Sequence, residues 1–199
     1  MKPTEILGNE HRVIEQVLDC LERMIDESQQ QKRLDPQPAR DAVAFFRAFA
    51  DQCHHGKEEV HLFPAMEAKG FPRDGGPTGV MLIEHEQGRS YVRGMDEAID
   101  AAADGDAAAL ERFADQGRRY ITLLREHIEK EDHCLFTMAD QAFTDADQQT
   151  LMEKFEKVEA EEMGHGTHER YLKIAQELAG RYGVTPRAAG HGGGCCHHG

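Results

Sequence analysis

The chain has 199 residues, 39% of them hydrophobic, and a formal net charge of −14. That size suits a single domain with a real core, and the acidity argues against a nucleic-acid partner, because phosphate contacts need clustered Lys and Arg. No apolar run approaches the ~20 residues of a membrane span, "MKPTEILGNEHRVIEQ" lacks the apolar stretch of a signal peptide, and five cysteines, three scattered and two adjacent in the tail, make no secreted disulfide framework, so a cytoplasmic protein off the membrane is expected.

Gly and Pro cluster at a few breakers: "LDPQP" (34–38), "KGFPRDGGPTG" (69–79), "DGD" (104–106), "FTDAD" (143–147) and everything after Gly183. Between them lie helix-forming stretches, with Asp35, Asp106 and Thr144 placed as N-caps and no sustained period-two alternation to suggest strands. The first stretch carries an apolar stripe at Leu7, Ile14, Leu18, Leu21 and Ile25, and His11 falls within it. The second runs Val43, Phe46, Ala50, His54, Glu58, on a face widened by Phe45 and Phe49. The third reads Met81, His85, Gly88, Val92, Met95, Ile99, and the fourth Phe113, Gly117, Tyr120, Leu124, His127, Glu131, Cys134, Met138. These alternating spacings of three and four mark core-facing positions of bundle helices. Histidines occupy slots suited to leucine. The expected fold is all-α: an up-down-up-down four-helix bundle over 1–140, a fifth helix packed on it over 144–183, and a flexible tail over 184–199.

Twelve histidines are many for this length, and their placement is ordered. In an antiparallel hairpin, residues equally far from the turn lie at one depth. The point midway between His11 and His54 falls beside "LDPQP", that between His54 and His85 on Lys69-Gly70, and that between His85 and His127 on Asp106. All four rings therefore come to one level. The chain also looks duplicated. "CHHGKEEVHLFP" (53–64) aligns with "REHIEKEDHCLF" (125–136), His54 on His127 and Glu58 on Glu131, while Glu10-His11 repeats as Glu84-His85. Residues i and i+4 share a helix face, so His54 with Glu58 and His127 with Glu131 each form a two-toothed donor. Four imidazoles and two carboxylates then converge. Buried carboxylates are costly unless paired or metal-bound, so a metal centre is expected. Mixed imidazole and carboxylate donors suit Fe, Mn or Zn over Ca or Mg, and two inward carboxylates are placed to bridge a metal pair.

His11, "HHGKEEVHLFP", "EHEQGR" and "HIEKEDHCLF", in that order over roughly residues 4 to 140, resemble the hemerythrin-like, or HHE cation-binding, family. The resemblance implies a non-haem di-iron centre with an oxo or hydroxo bridge, zinc or manganese being the other candidates. It implies one iron on His11 and His54, the other on His85 and His127, and Glu58 and Glu131 as bridges. Oxygen-carrying members have a second histidine one turn after the position of His85, where this chain has Arg89. That departure is expected to leave an open coordination position and to favour reaction over carriage. It resembles the subgroup ordered H, HxxxE, H, HxxxE, linked to oxygen or iron sensing, peroxide or nitric oxide chemistry and iron–sulfur repair, although the domain that accompanies the repair proteins is not evident. The implied partner is a small diatomic or peroxide ligand; the alternative is metal storage, sensing or delivery without catalysis.

The neighbouring residues are assigned more plainly. His55 with Glu59 is also HxxxE, but one residue rotates an α-helix by ~100°, which puts His55 at the flank or surface. His61 and His133 are expected on the outer face, and Cys53 and Cys134 as small packing groups. Glu162, His165 and His168 of the fifth helix are candidates for an added ligand or a supporting hydrogen bond. The tail's Cys195, Cys196, His197 and His198 make a possible chelating cluster.

Overall fold

The computed structural model describes residues 1–158 and 167–185. Its described residues form six helices and no strands: α1 (Pro3–Gln31), α2 (36–68), α3 (Pro77–Ala103), α4 (107–142), α5 (Asp145–Lys157) and α6 (Thr167–Tyr182). The first four make the bundle. Connections of a few residues between them force antiparallel neighbours, and α1 packs on α2 and α4 while α3 packs on α2 and α4. Asp35 accepts the Gln37 N–H, Asp106 accepts the Ala109 N–H, and Thr144 and Asp147 cap α5 reciprocally. Residues 159–166, which include Glu162 and His165, and the tail cysteines and histidines lie outside the description. The fifth helix expected over 144–183 is described on either side of those residues, as α5 and α6. α5 covers the bundle through Leu151 and Phe155, and α6 through Ala175, Leu178, Ala179 and Tyr182.

Two apolar clusters fill the interior. The larger gathers Ile14 to Ile25 of α1 with Phe45, Phe46 and Phe49, Val92 to Ala102, and Phe113 to Ile128. The smaller gathers Leu7, Leu62, Phe63, Met66, Met81, Leu135 and Phe136. Along every bundle helix the chain passes from one cluster to the other through a buried histidine. A polar layer therefore separates two greasy ends.

Neither α2 nor α4 is α-helical throughout. α2 widens to π-helix over Phe46–His55 and again over Glu58–Leu62, and α4 over Glu131–Leu135. The Phe63 N–H reaches back five residues to Glu58 and the Phe136 N–H likewise to Glu131. Pro64 explains part of the first widening, since it cannot donate to Val60 and its ring would crowd that carbonyl; Thr137 holds the matching position in α4 without such a constraint. The widening shifts the register one residue. Leu135 and Ala139 face the core, and Cys134 is exposed, which corrects its expected packing role. π-turns inside α-helices occur often at functional sites.

Candidate metal centre

His11, His54, His85 and His127 come from four different helices and are each no more than 1% exposed; Glu58 and Glu131 are fully buried. Their outer ring nitrogens are all held the same way. His11 Nδ1 lies 2.7 Å from Asp132, His54 Nδ1 2.9 Å from Glu10, His85 Nδ1 2.7 Å from Glu59 and His127 Nδ1 2.9 Å from Glu84. A carboxylate on Nδ1 fixes the tautomer and turns the Nε2 lone pair inward. The inward atoms lie close together: Glu131 Oε2 is 3.2 Å from both His11 Nε2 and His127 Nε2, and Glu58 is 3.6 Å from His54 Nε2 and 3.5 Å from His85 Nε2.

The arrangement is doubled with fidelity. Glu10 precedes His11 but holds His54; Glu84 precedes His85 but holds His127. Glu59 and Asp132 follow the inward glutamates and hold His85 and His11. Lys57 pairs with Glu10 at 2.5 Å and Lys130 with Glu84. The His11 and His54 rings meet at 4.6 Å and 61°, the His85 and His127 rings at 4.8 Å and 64°. Phe136 stacks on His11 and Phe63 on His85. Two ring pairs thus converge edge-on, one on each side of the carboxylates.

Electrostatics match a site shaped for cations. Burial pushes the Glu58 carboxyl well up, reinforced by Glu131, Glu10 and Glu59. Burial would raise Glu131 too, but His127 and His11 outweigh it and hold it well below the usual range. Burial likewise works against a charged His127, yet Glu131 and Glu84 lift it to about 9. His54 is held well down by burial and by His11. Both Glu58 oxygens, both Glu131 oxygens and the Nε2 atoms of His11 and His54 are buried without a hydrogen bond. Buried polar atoms are rarely left so, and unpaired lone pairs on carboxylate and imidazole are what a transition metal takes.

Two overlapping donor groups result among the described residues: His11, His54, Glu58 and Glu131, and His55, Glu58, His85 and His127, each with donor atoms within 4.8 Å. Glu58 belongs to both, and Glu131 reaches His127 besides. His55 corrects the sequence reading, which put it at the flank or surface. It is 4% exposed, stacked on His85 at 3.8 Å and 11°. A π-turn advances less per residue than the ~100° of an α-helix, so consecutive histidines at the end of Phe46–His55 both face inward. Glu59, expected to accompany His55, instead holds His85.

Arg89 stands where oxygen carriers have histidine, and its guanidinium binds Asp51, Glu59 and Glu86. Its counterpart in the first half is the Arg12–Glu15 pair, with Arg12 bound to Asp132. Each arginine therefore pins the carboxylate that holds a histidine. His61 is half-buried and His133 exposed. His168 is the described member of the fifth-helix candidates. It lies with Glu10 and Cys53 in a third donor group, its ring 5.2 Å from Phe49. Glu10, Glu84, Asp132, Lys57 and Lys130 had no assigned role in the sequence reading, although the repeated Glu-His pair and the aligned Glu59 and Asp132 carried the signal.

Fold and site together define a cation-binding helical bundle. The chain belongs to the hemerythrin HHE cation-binding domain family, whose model matches residues 2–139. It is similar to uncharacterized protein Rv1995 of Mycobacterium tuberculosis and to uncharacterized protein Mb2018 of Mycobacterium bovis, 25% identical over 181 residues in each case, covering 90% of this chain and 70% of theirs. That alignment is longer than the family match, so the likeness continues past the bundle. No solved structure matches the chain significantly. No helix among the described residues is long and apolar enough to cross a membrane.

Proposed function

We propose that the layer holds two non-haem iron ions and that this centre reacts with, or senses, dioxygen, hydrogen peroxide or nitric oxide. The observation that carries the reading is the pair of edge-on imidazole couples, each ring fixed through Nδ1, facing two buried carboxylates that lack hydrogen bonds. His11 and His54 would hold one metal and His85 and His127 the other, with Glu58 and Glu131 shared. Iron held there supplies a redox couple and a Lewis-acidic position for a small ligand. The protein's own part is to orient and to exclude water. Glu10, Glu84, Glu59 and Asp132 fix the rings, and the apolar clusters on either side keep the layer dry. A second reading is metal storage, sensing or delivery without turnover. The third donor group of Glu10, Cys53 and His168, sharing Glu10 with the main layer, favours it.

Anaerobic ferrous loading with metal counting, followed by spectra under oxygen, peroxide and nitric oxide, tests the proposal. Two irons per chain and a ligand-dependent visible spectrum are expected. One metal per chain, binding of zinc alone, or unchanged loading in a His54→Ala/His127→Ala double variant refutes it. Catalytic consumption of peroxide separates the first reading from the second.

A further inference from the structure

The duplication is nearly complete at the donors and breaks beside them. A cleft of about 290 Å³, lined by Asp51, Gln52, His55, Gly88, Arg89 and Tyr120 among others, runs from the surface between α2 and α3 to the edge of His85. The repeat puts His11 and His85 74 residues apart and His54 and His127 73 apart. On that mapping the counterparts of Gly88, Asp51 and His55 are Ile14, Leu124 and Ile128. Those three are 1%, 4% and 3% exposed and belong to the larger apolar cluster. The side of the layer near His11 and His54 is plugged by hydrocarbon where the other side is open and polar.

His55 stands at the floor of that opening. Its Nδ1 lies 3.5 Å from Asp51 Oδ1, longer than the 2.7–2.9 Å contacts that hold the other four rings, so the ring is less firmly fixed. Neither ring nitrogen makes a hydrogen bond. One of them lies within 4.8 Å of donor atoms of Glu58, His85 and His127. Yet the ring lies parallel to His85 rather than edge-on to it. Parallel rings aim their lone pairs side by side, so His55 must tilt to share a metal with His85, whereas the four other rings already converge.

We propose that small exogenous ligands reach the centre from the His85 side, through this cleft, and that His55 is the exchangeable fifth imidazole they displace there. The proposal rests on the two-metal reading above. The ligand class is a linear or bent species of two or three atoms with a free lone pair, such as peroxide; a larger ligand would have to move Arg89, which three carboxylates tie down. The chain thus restores by a π-turn in α2 the imidazole that Arg89 displaces in α3, and it restores it in a looser form. The open position expected from Arg89 is a capped one.

The test uses the full chain loaded with ferrous iron and oxidised, with azide as the probe. Metal content, Mössbauer spectra and stopped-flow azide binding are measured for wild type, His55→Ala, Gly88→Ile and Ile128→Ala. Expected are two irons per chain throughout, a change in only one of two Mössbauer sites in His55→Ala, and azide affinity raised there by about tenfold or more. Gly88→Ile copies the plugged half and should slow azide association by about tenfold; Ile128→Ala, which trims the other side, should leave it unchanged. Gly88→Ala is the fallback if the larger side chain prevents folding, since its Cβ would sit 3.4 Å from the Tyr120 ring and narrow the cleft. Weaker azide binding in His55→Ala, or an unchanged rate with the cleft filled, overturns the proposal. A wild-type chain that takes up no metal pair refutes instead the reading beneath it.

Discussion

Replacing Glu58 by methionine should make the metal-free protein more stable while abolishing metal loading. Glu58 is fully buried, neither oxygen has a hydrogen bond, and its carboxyl is held neutral by burial and by the surrounding carboxylates. Leaving a buried polar group unsatisfied costs about 1–3 kcal/mol, and an apolar side chain of similar volume removes that cost without opening a cavity. Taking ~2 kcal/mol for the site, and ~2–4 °C per kcal/mol for a chain of this size, the metal-free melting temperature should rise by about 4–8 °C. The wild-type protein should gain ~4 kcal/mol when metal exceeds its dissociation constant a thousandfold; the variant should gain almost nothing, because Glu58 belongs to both donor groups. Calorimetry of both proteins with chelator and with excess ferrous iron, under anaerobic conditions, measures all four states. A metal-free Glu58→Met that melts below metal-free wild type would refute the reasoning, for it would make the carboxylates part of a self-sufficient polar network.

Glu10→Gln and Glu84→Gln each weaken the hold on one ring, His54 or His127, and should lower metal affinity by about 10–100-fold in a chelator competition with helicity unchanged. The metal-free protein should lose stability as pH rises from 6.5 to about 9. His127 titrates near 9 in the fold against 6.5 unfolded, so its contribution, ~3 kcal/mol, is complete below 6.5 and vanishes through the folded value; His11, also raised, acts in the same direction. Urea melts across that range check it, and flat or rising stability would contradict the assignment. Gly117→Val should destabilise by about 1–3 kcal/mol, since a Cβ there would lie 2.7 Å from Ile25 Cδ1, and Ile25→Val should relieve part of that in a thermal melt of the double variant.

The level of the four histidines could be read from the sequence because it depends only on turn positions and helical periodicity, both of which are local. His11 and His85 stand in apolar stripes whose other members are all buried, so the inward face needed no tertiary information. The sequence reading failed where α-geometry failed. His55 was turned outward by assuming ~100° per residue, and Cys134 inward by the same assumption; the π-turns at Phe46–His55 and Glu131–Leu135 reverse both. No propensity marks those turns, since only one of the two halves carries the proline that would call for one. The carboxylates on the Nδ1 atoms were hidden for another reason. Each holds a ring on a different helix from its own, and a one-dimensional reading can align Glu10 with Glu84 without showing that they reach across to His54 and His127.

The two halves differ least where cations would be held and most where a ligand would pass. Rings, carboxylates, lysines and stacked phenylalanines are repeated with nearly the same distances, as a centre that Glu58 and Glu131 would bridge requires of its donors. Around that frame the first half packs Ile14, Leu124 and Ile128 into the apolar core, while the second sets Gly88, Asp51 and His55 along a cleft. Closing both sides would give a deeper core and a sealed store for metal. Opening both would wet the layer and weaken every electrostatic contact within it, since water raises the local dielectric. On the proposed reading, one plugged side and one polar side among the described residues would keep the layer fixed while leaving a small ligand an approach along the polar side.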